Sequence, residues 1–145
     1  MDADRAGRAL AARWCDAVAR GDVEAWARCW RGDGEWHLAG ESPVVGIDAL
    51  TKEFAARRAE FELCLPELLF GWVDGDADAA VARWYVREVQ RPRTGNGREL
   101  VGFYDDRIVR DRGEWRFARR RFWLLYRGPR SVAGEVLTPP SPASP

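Results

Sequence analysis

The chain has 145 residues, 46% of them hydrophobic, and its 23 basic and 23 acidic side chains give a formal net charge of zero. That length suits one domain with a single core and leaves no room for a second. The charge balance argues against nucleic acid or an anionic membrane as a partner, and no stretch approaches the roughly 18 apolar residues of a membrane span. The acidic start, MDADRAGRALAAR, lacks the basic region and continuous apolar run of a secretory signal, so the expected location is cytoplasmic. Cys15, Cys29 and Cys64 are odd in number and lack metal-ligand spacing, which predicts buried reduced thiols rather than a disulfide or a zinc site. Lys52 is the only lysine, a bias that fits GC-rich coding better than recognition chemistry. Eight tryptophans supply much of the apolar area for a core or a pocket wall.

In chain order, residues 9–20 place Leu10, Trp14, Cys15 and Val18 on one side at helical spacing, and Gly21 is suited to cap the helix. Asp22 is placed to start a second helix over residues 23–30, where Val23, Trp26, Ala27 and Trp30 repeat every three or four residues. Arg31-Gly32-Asp33-Gly34 reads as a break, and residues 35–38 as a short strand. A loop with Gly40, Pro43 and Gly46 leads to a third helix from Ile47, with Leu50, Phe54 and Phe61 inward. Pro66 predicts an edge or a bend, followed by a strand over residues 68–73. Asp74-Gly75-Asp76 is a hairpin turn.

Residues 80–90 alternate, with Ala82, Trp84, Val86 and Glu88 on one face and Arg83, Tyr85 and Arg87 on the other. Glu88 is thus the one charge on an apolar face. The last pair of strands, LVGFYDDRIVRDRGEWRFARRRFWLLY, pivots on Arg110-Asp111-Arg112-Gly113-Glu114. On its first strand Leu100, Gly102, Tyr104, Asp106 and Ile108 share a face. The matching face of the second is expected to be Ala118, Arg120, Phe122, Leu124 and Tyr126. Beyond Gly128 the composition turns to Pro, Ser and Gly, which predicts one domain over residues 1–130 and a disordered tail over 131–145. Helices followed by hairpin-linked strands give an α+β class, an antiparallel sheet covered on one side by helices.

The hairpin pattern G-x-Y-x-D-x-x-V-R-x-x-G-x-W-R-F-x-x-R, together with RWCDAVARGDVEAW, Gly34-Glu35-Trp36 and PVVGIDAL, resembles the SnoaL-like branch of the nuclear transport factor two-like superfamily over residues 8–128. The resemblance implies a cone-shaped curved sheet, a cystatin-like α+β barrel, with about three helices enclosing a pocket. It also implies a homodimer packed through the outer sheet face. Functions in that superfamily range from isomerases, cyclases, dehydratases and other lyases to transport factors, so the pocket residues must decide. Set against ketosteroid isomerase, the oxyanion tyrosine falls on Trp14, the base aspartate near Leu38 beside His37, and the second aspartate on Asp105 or Asp106. Set against the dehydratases and the dehydrochlorinase, the aspartate of their His-Asp dyad falls on Ala19 and the histidine near Cys64. That dyad is absent.

The groups left for chemistry are Asp106, Glu88, Tyr104 and His37, with Trp14, Val18, Trp36, Cys64, Trp84, Gly102, Arg120 and Phe122 as the expected substrate pocket. Burial among aromatics would raise a carboxylate's pKa toward neutrality, whereas Arg120 beside Asp106 would lower it or simply make a structural ion pair. His37 either acts as a base or points to solvent, and Tyr104 either stabilises an oxyanion or buries its ring. A one-residue bulge would exchange Asp105 for Asp106. The expected activity is cofactor-independent acid-base chemistry, with no metal, on a small hydrophobic and cyclic substrate of polyketide, terpenoid or steroid type. A non-catalytic ligand-binding or partner-binding domain of the same fold is the alternative, and a scaffold like a dioxygenase small subunit a third.

Overall fold

The structure, a computed structural model, describes residues 2–144. The termini of the expected domain and tail, residues 1 and 145, lie outside them. Helix α1 (Ala3–Arg20) opens on Asp2, whose carboxylate accepts from the Arg5 amide, and stops at Gly21, whose left-handed φ of 67° suits glycine. It begins six residues before the predicted start, because Ala3, Ala6 and Gly7 extend its buried face. Gly7 is a close approach: a Cβ there would meet Val73 at 2.9 Å. Asp22 caps α2 (Val23–Arg28) through the Ala25 amide.

Two expectations fail in the next segment. The second helix ends at Arg28, and the glycine-rich run read as a break lies inside strand β1 (Trp30–His37). A register shift between Trp30 and Glu35 lets that strand absorb its glycines as a bulge. Val44–Val45, read as loop, forms a two-residue strand β2 against β1. Gly46, at φ 92°, then turns the chain into α3 (Ile47–Ala59).

Four long strands follow, β3 (Phe61–Gly75), β4 (Ala79–Pro92), β5 (Arg98–Asp111) and β6 (Glu114–Pro129). Phe61 therefore belongs to a strand rather than to the third helix. The sheet order is β2-β1-β6-β5-β4-β3; β1 runs parallel to β6 and every other pair is antiparallel. The six-stranded sheet curls without closing, so the cone has two edges, and Pro66 sits on one of them as its missing N–H requires. The β5–β6 turn places Arg112 at φ 50° and Gly113 at φ 83°, the paired positive angles that match the twist of a two-residue hairpin.

The helices cover the concave face. Leu10, Trp14, Ala17 and Val18 of α1 are buried there, and Trp26 of α2 stacks on Phe54 of α3 with ring centres 4.4 Å apart. Trp30, Trp36 and Phe117 complete this aromatic core. Gln90, Asp106 and Arg120 are its buried polar residues. Residues 130–144 form no helix or strand, yet Arg91 donates to the carbonyls of Val132 and Gly134 and so pins the start of the segment expected to be disordered. No helix among the described residues is long and apolar enough to cross a membrane. The three cysteines are free, Cys29 and Cys64 buried and Cys15 partly so.

Candidate functional site

A cavity of about 270 Å³ opens at the wide end of the cone. Each of the four long strands contributes its inward parity: Cys64 and Pro66 from β3, Val86, Glu88 and Gln90 from β4, Arg98, Leu100 and Tyr104 from β5, Phe122, Leu124 and Arg127 from β6. Trp14 and Val18 of α1, Trp36 and Leu38 at the end of β1, and Phe54 of α3 close the opposite wall. Arg57, Arg58, Glu41 and Glu60 stand at the rim. Of the expected pocket residues, Trp14, Val18, Trp36, Cys64, Glu88, Tyr104 and Phe122 meet here.

The strand parity expected for β4 and β5 holds. Ala82, Trp84 and Val86 are buried, and Glu88 faces the cavity. On β5 Gly102, Tyr104, Asp106 and Ile108 point inward, while Asp105 pairs with Arg83 outside, at 2.7 and 3.0 Å. On β6 two register shifts alter the expected face. One between Arg107 and Ile108 makes Ala118 an extra residue, so Trp115 and Phe117 point in ahead of it and Arg120, Phe122 and Leu124 after it. The second, between Val101 and Gly102, makes Leu125 extra, so Tyr126 turns out to half exposure and Arg127 turns in.

Five expected site residues lie apart from the cavity. Asp106 and Arg120 form a sealed bidentate pair deeper in the cone, with Nε–Oδ1 at 2.8 Å and Nη2–Oδ2 at 3.0 Å and both side chains almost fully buried. The guanidinium is also wedged among rings, its carbon 4.5 Å from the centre of Trp14, 4.0 Å from Tyr104 and 4.1 Å from Phe117. Burial pushes the Asp106 carboxyl up to about 6 against the opposing pull of Arg120. His37 points to the outer face, because Trp36 pairs with Arg120 inside and its neighbour must alternate beside Arg121. Partial burial and the Arg121 charge lower the His37 pKa, and Glu35 lies 4.0 Å away. Trp84 is buried under α1, with the Arg8 guanidinium over its ring, rather than in the cavity wall. Gly102 leaves room for a neighbour rather than for a ligand, since a Cβ there would meet the Trp123 carbonyl at 2.2 Å and the Phe122 ring at 2.7 Å.

Inside the cavity the titratable centre is Glu88. Gln90 Nε2 donates to Glu88 Oε2, the Cys64 thiol donates to the same carboxylate, and Arg98 Nε donates to Gln90 Oε1 at 2.6 Å. Burial raises the Glu88 pKa, and these donors with Arg58 and Arg98 oppose it. The Tyr104 hydroxyl is held well above its ordinary value by burial, although Arg120 pulls it down. It therefore remains a proton donor at neutral pH. Glu88 and Tyr104 both line the cavity from neighbouring strands, four residues apart along the sheet, about 13 Å of backbone rise.

Trp14, Leu38 and Cys64, the positions where the resemblance puts an oxyanion tyrosine, a base and a histidine, all line the cavity. The wall is retained and the chemistry at those positions is not. Gln90 and Arg98, absent from the expected site, share parity with Glu88 and Tyr104 and were within reach of the alternation argument. Arg127 was not, because only the bulge at Leu125 brings it in. Among the described residues no group of three or more His, Cys, Asp or Glu side chains is arranged to hold a metal ion.

None of the curated proteins matches the chain. Among solved structures, a protein of unknown function from Mycobacterium tuberculosis is 26% identical, with a TM-score of 0.74, over 83% of this chain and 70% of that one. A protein named for scytalone dehydratase from Novosphingobium aromaticivorans is 21% identical with a TM-score of 0.81, over 97% and 94%. A type 2 hexachlorocyclohexane dehydrochlorinase is 18% identical with a TM-score of 0.78, over 94% and 93%. Residues 2–121 match the SnoaL-like domain, and with that match over most of its length the chain belongs to the SnoaL-like family within the nuclear transport factor two-like fold.

Proposed function

We propose that the chain is a cofactor-independent acid-base enzyme of isomerase, cyclase or lyase type, acting on a small hydrophobic, cyclic substrate of polyketide, terpenoid or steroid kind. The observation that carries the reading is one carboxyl, Glu88, set part-buried in a cavity wall rich in aromatic and aliphatic side chains, with its pKa raised by desolvation. A carboxylate desolvated in this way is a stronger base than one in water, and a pure binding cavity has little reason to bury it. In the simplest cycle Glu88 removes a proton from carbon beside a carbonyl, the Tyr104 hydroxyl hydrogen-bonds the resulting oxyanion, and protonated Glu88 returns the proton elsewhere on the ring. Arg120 stacks under Tyr104 and makes that hydroxyl a better donor, while Asp106 fixes Arg120. Asp106 is thus a positioning residue in this scheme and not the base.

The test is a panel of cyclic ketones and epoxides incubated in deuterated water, with exchange and turnover read by mass. Activity in the parent chain and its loss in Glu88→Gln, with binding retained, supports the reading. Binding without exchange by any member moves it to a non-catalytic ligand-binding domain. That second reading is favoured by one observation: His37 and Asp106 stand outside the cavity, so Glu88 has no second titrating carboxyl or imidazole beside it.

The same chain is proposed to pair with a second copy through its outer sheet face. Phe70, Tyr85, Phe103 and Trp123 form an aromatic row across four strands, with neighbouring ring centres 4.4, 5.4 and 6.3 Å apart, and Phe70 and Trp123 are 65% and 46% exposed. Sedimentation equilibrium should show a dimer that Phe70→Glu with Trp123→Glu converts to monomer; a parent chain that sediments as a monomer overturns the pairing.

A further inference from the structure

The rim of the cavity carries more than its wall requires. Its four arginines divide into two that are tied up by carboxylates or backbone carbonyls and two that are not. Arg57 pairs with Glu41 and Glu53. Arg58 donates to the carbonyls of Val18, Ala19 and Phe61, tying α1 to β3. Arg98 spends only its Nε on the neutral Gln90 amide, and neither it nor Arg127 makes an ion pair among the described residues. The remaining rim acid, Glu60, makes no ion pair with them.

Arg98 and Arg127 are also neighbours. Leu100 pairs with Arg127, and Arg98 lies two residues before Leu100 on the same face, which makes the two arginines a diagonal cross-strand pair. Like charges so placed repel, and no carboxylate among the described residues ion-pairs with either, Glu88 being held from Arg98 by the intervening Gln90 amide. The arrangement further depends on an irregularity in β6: without the extra residue at Leu125, Tyr126 would face the cavity and Arg127 the outside. A bulge at the mouth of a site that re-aims one cation beside another is a device for an anion, since two guanidinium forks match the planar geometry of a carboxylate.

We propose that the natural ligand of this cavity is an amphipathic carboxylate, whose ring system lies against Trp14, Trp36 and Phe122 and whose carboxylate is clamped at the mouth by Arg98 and Arg127. The proposal rests on the reading of the cavity as a ligand site, and it narrows the substrate class to cyclic acids. It also orients the ligand, with its anionic end outward and its opposite end toward Tyr104 at the cavity's depth. Arg98 links this clamp to the chemistry, because the side chain that meets the carboxylate also orders Gln90 against Glu88.

The probes are 1-naphthoate and its neutral isostere 1-naphthamide, titrated against the full chain by tryptophan fluorescence and calorimetry at low and high salt. Naphthoate is expected to bind at least tenfold more tightly than the amide, an advantage that shrinks as salt rises. Arg127→Gln, an exposed side chain without structural partners, should lose about tenfold for naphthoate and leave the amide unchanged. Arg98→Gln should also weaken naphthoate more than the amide. Equal binding of acid and amide, or equal weakening of both by Arg127→Gln, overturns the clamp while leaving the cavity as a ligand site. Failure of both probes to bind overturns the clamp and the site together.

Discussion

The cone holds two assemblies of one acid and one arginine, and they differ in what stands between the charges. At the narrow end Asp106 and Arg120 meet directly, two hydrogen bonds deep in aromatic rings, with solvent excluded from both. At the wide end the Gln90 side chain separates Glu88 from Arg98, one amide oxygen accepting from the arginine and its nitrogen donating to the acid. A direct pair must be kept intact, because removing either partner strands a buried charge. An interposed amide transmits orientation without neutralising the acid, so burial raises the Glu88 pKa and the carboxyl remains free to exchange protons with whatever enters the cavity. The first assembly suits a scaffold and the second suits a site.

The largest expected effects separate these two roles. Glu88→Gln should lower kcat/KM for any substrate found by about 10²- to 10⁴-fold, the ordinary worth of a general base, with little change in Tm. Arg120→Met should act mainly on the fold, costing about 3–5 kcal/mol of stability because Asp106 loses its buried partner, with a smaller loss of kcat/KM through the weakened Tyr104 donor. Chemical denaturation of Arg120→Met against the double variant Asp106→Leu, Arg120→Met checks the cause, since removing both charges should restore much of the loss. If Arg120→Met is stable and Glu88→Gln unfolds, the assignment of site and scaffold is inverted.

A smaller effect is readable in pH. The Glu88 pKa is raised, so if the ionised form is the base, kcat/KM should climb with pH through a limb above the usual glutamate range. Gln90→Leu removes a donor that favours the ionised form and should move that limb to higher pH; a limb that stays put excludes Glu88 as its source. Asp106 acts on stability instead. Its folded pKa of about 6 lies above its ordinary value of 3.8, so the folded state binds this proton more tightly than the unfolded one. The contribution is therefore complete below about pH 4 and is lost as pH rises through about 6. Denaturation midpoints between those values should fall with pH from this group, and Asp106→Asn should flatten that portion of the curve.

How much of this could be read from sequence depended on whether alternation ran unbroken. On β4 and β5 it did, so parity grouped Glu88 with the apolar face of β4 and Tyr104 with Asp106 on β5, while the choice of the Asp106 face over the Asp105 face as interior came from the family resemblance. On β6 two extra residues, Ala118 and Leu125, reset parity twice, which hid Trp115 and Phe117 from the core and Arg127 from the cavity. Burial depth was hidden for another reason. Asp106 and Glu88 share an inward face, and only the converging helix and sheet decide that one lies beneath the Trp14 ring with Arg120 and the other opens to the cavity. Glycine misled twice: the run at 31–34 has the composition of a turn yet bulges within a strand, and Gly102 makes room for Phe122.

The smallest expected effect is the sharpest test of the outer face. His37 was the natural base by pKa and by its neighbourhood in the sequence, but strand alternation carries it across the sheet from Trp36, against Glu35 and Arg121. Burial and the nearby arginine charge lower its pKa, so at neutral pH it is uncharged and exerts little field on the cavity. His37→Gln keeps a polar side chain of similar reach and should change kcat/KM by no more than about twofold, the range of a surface substitution away from a special feature. The same variant should leave the pH limb assigned to Glu88 in place. A hundredfold loss, or a limb that disappears with His37, would mean that the imidazole reaches the substrate from the face opposite Glu88, and the wide-end assembly would lose its claim to be the site.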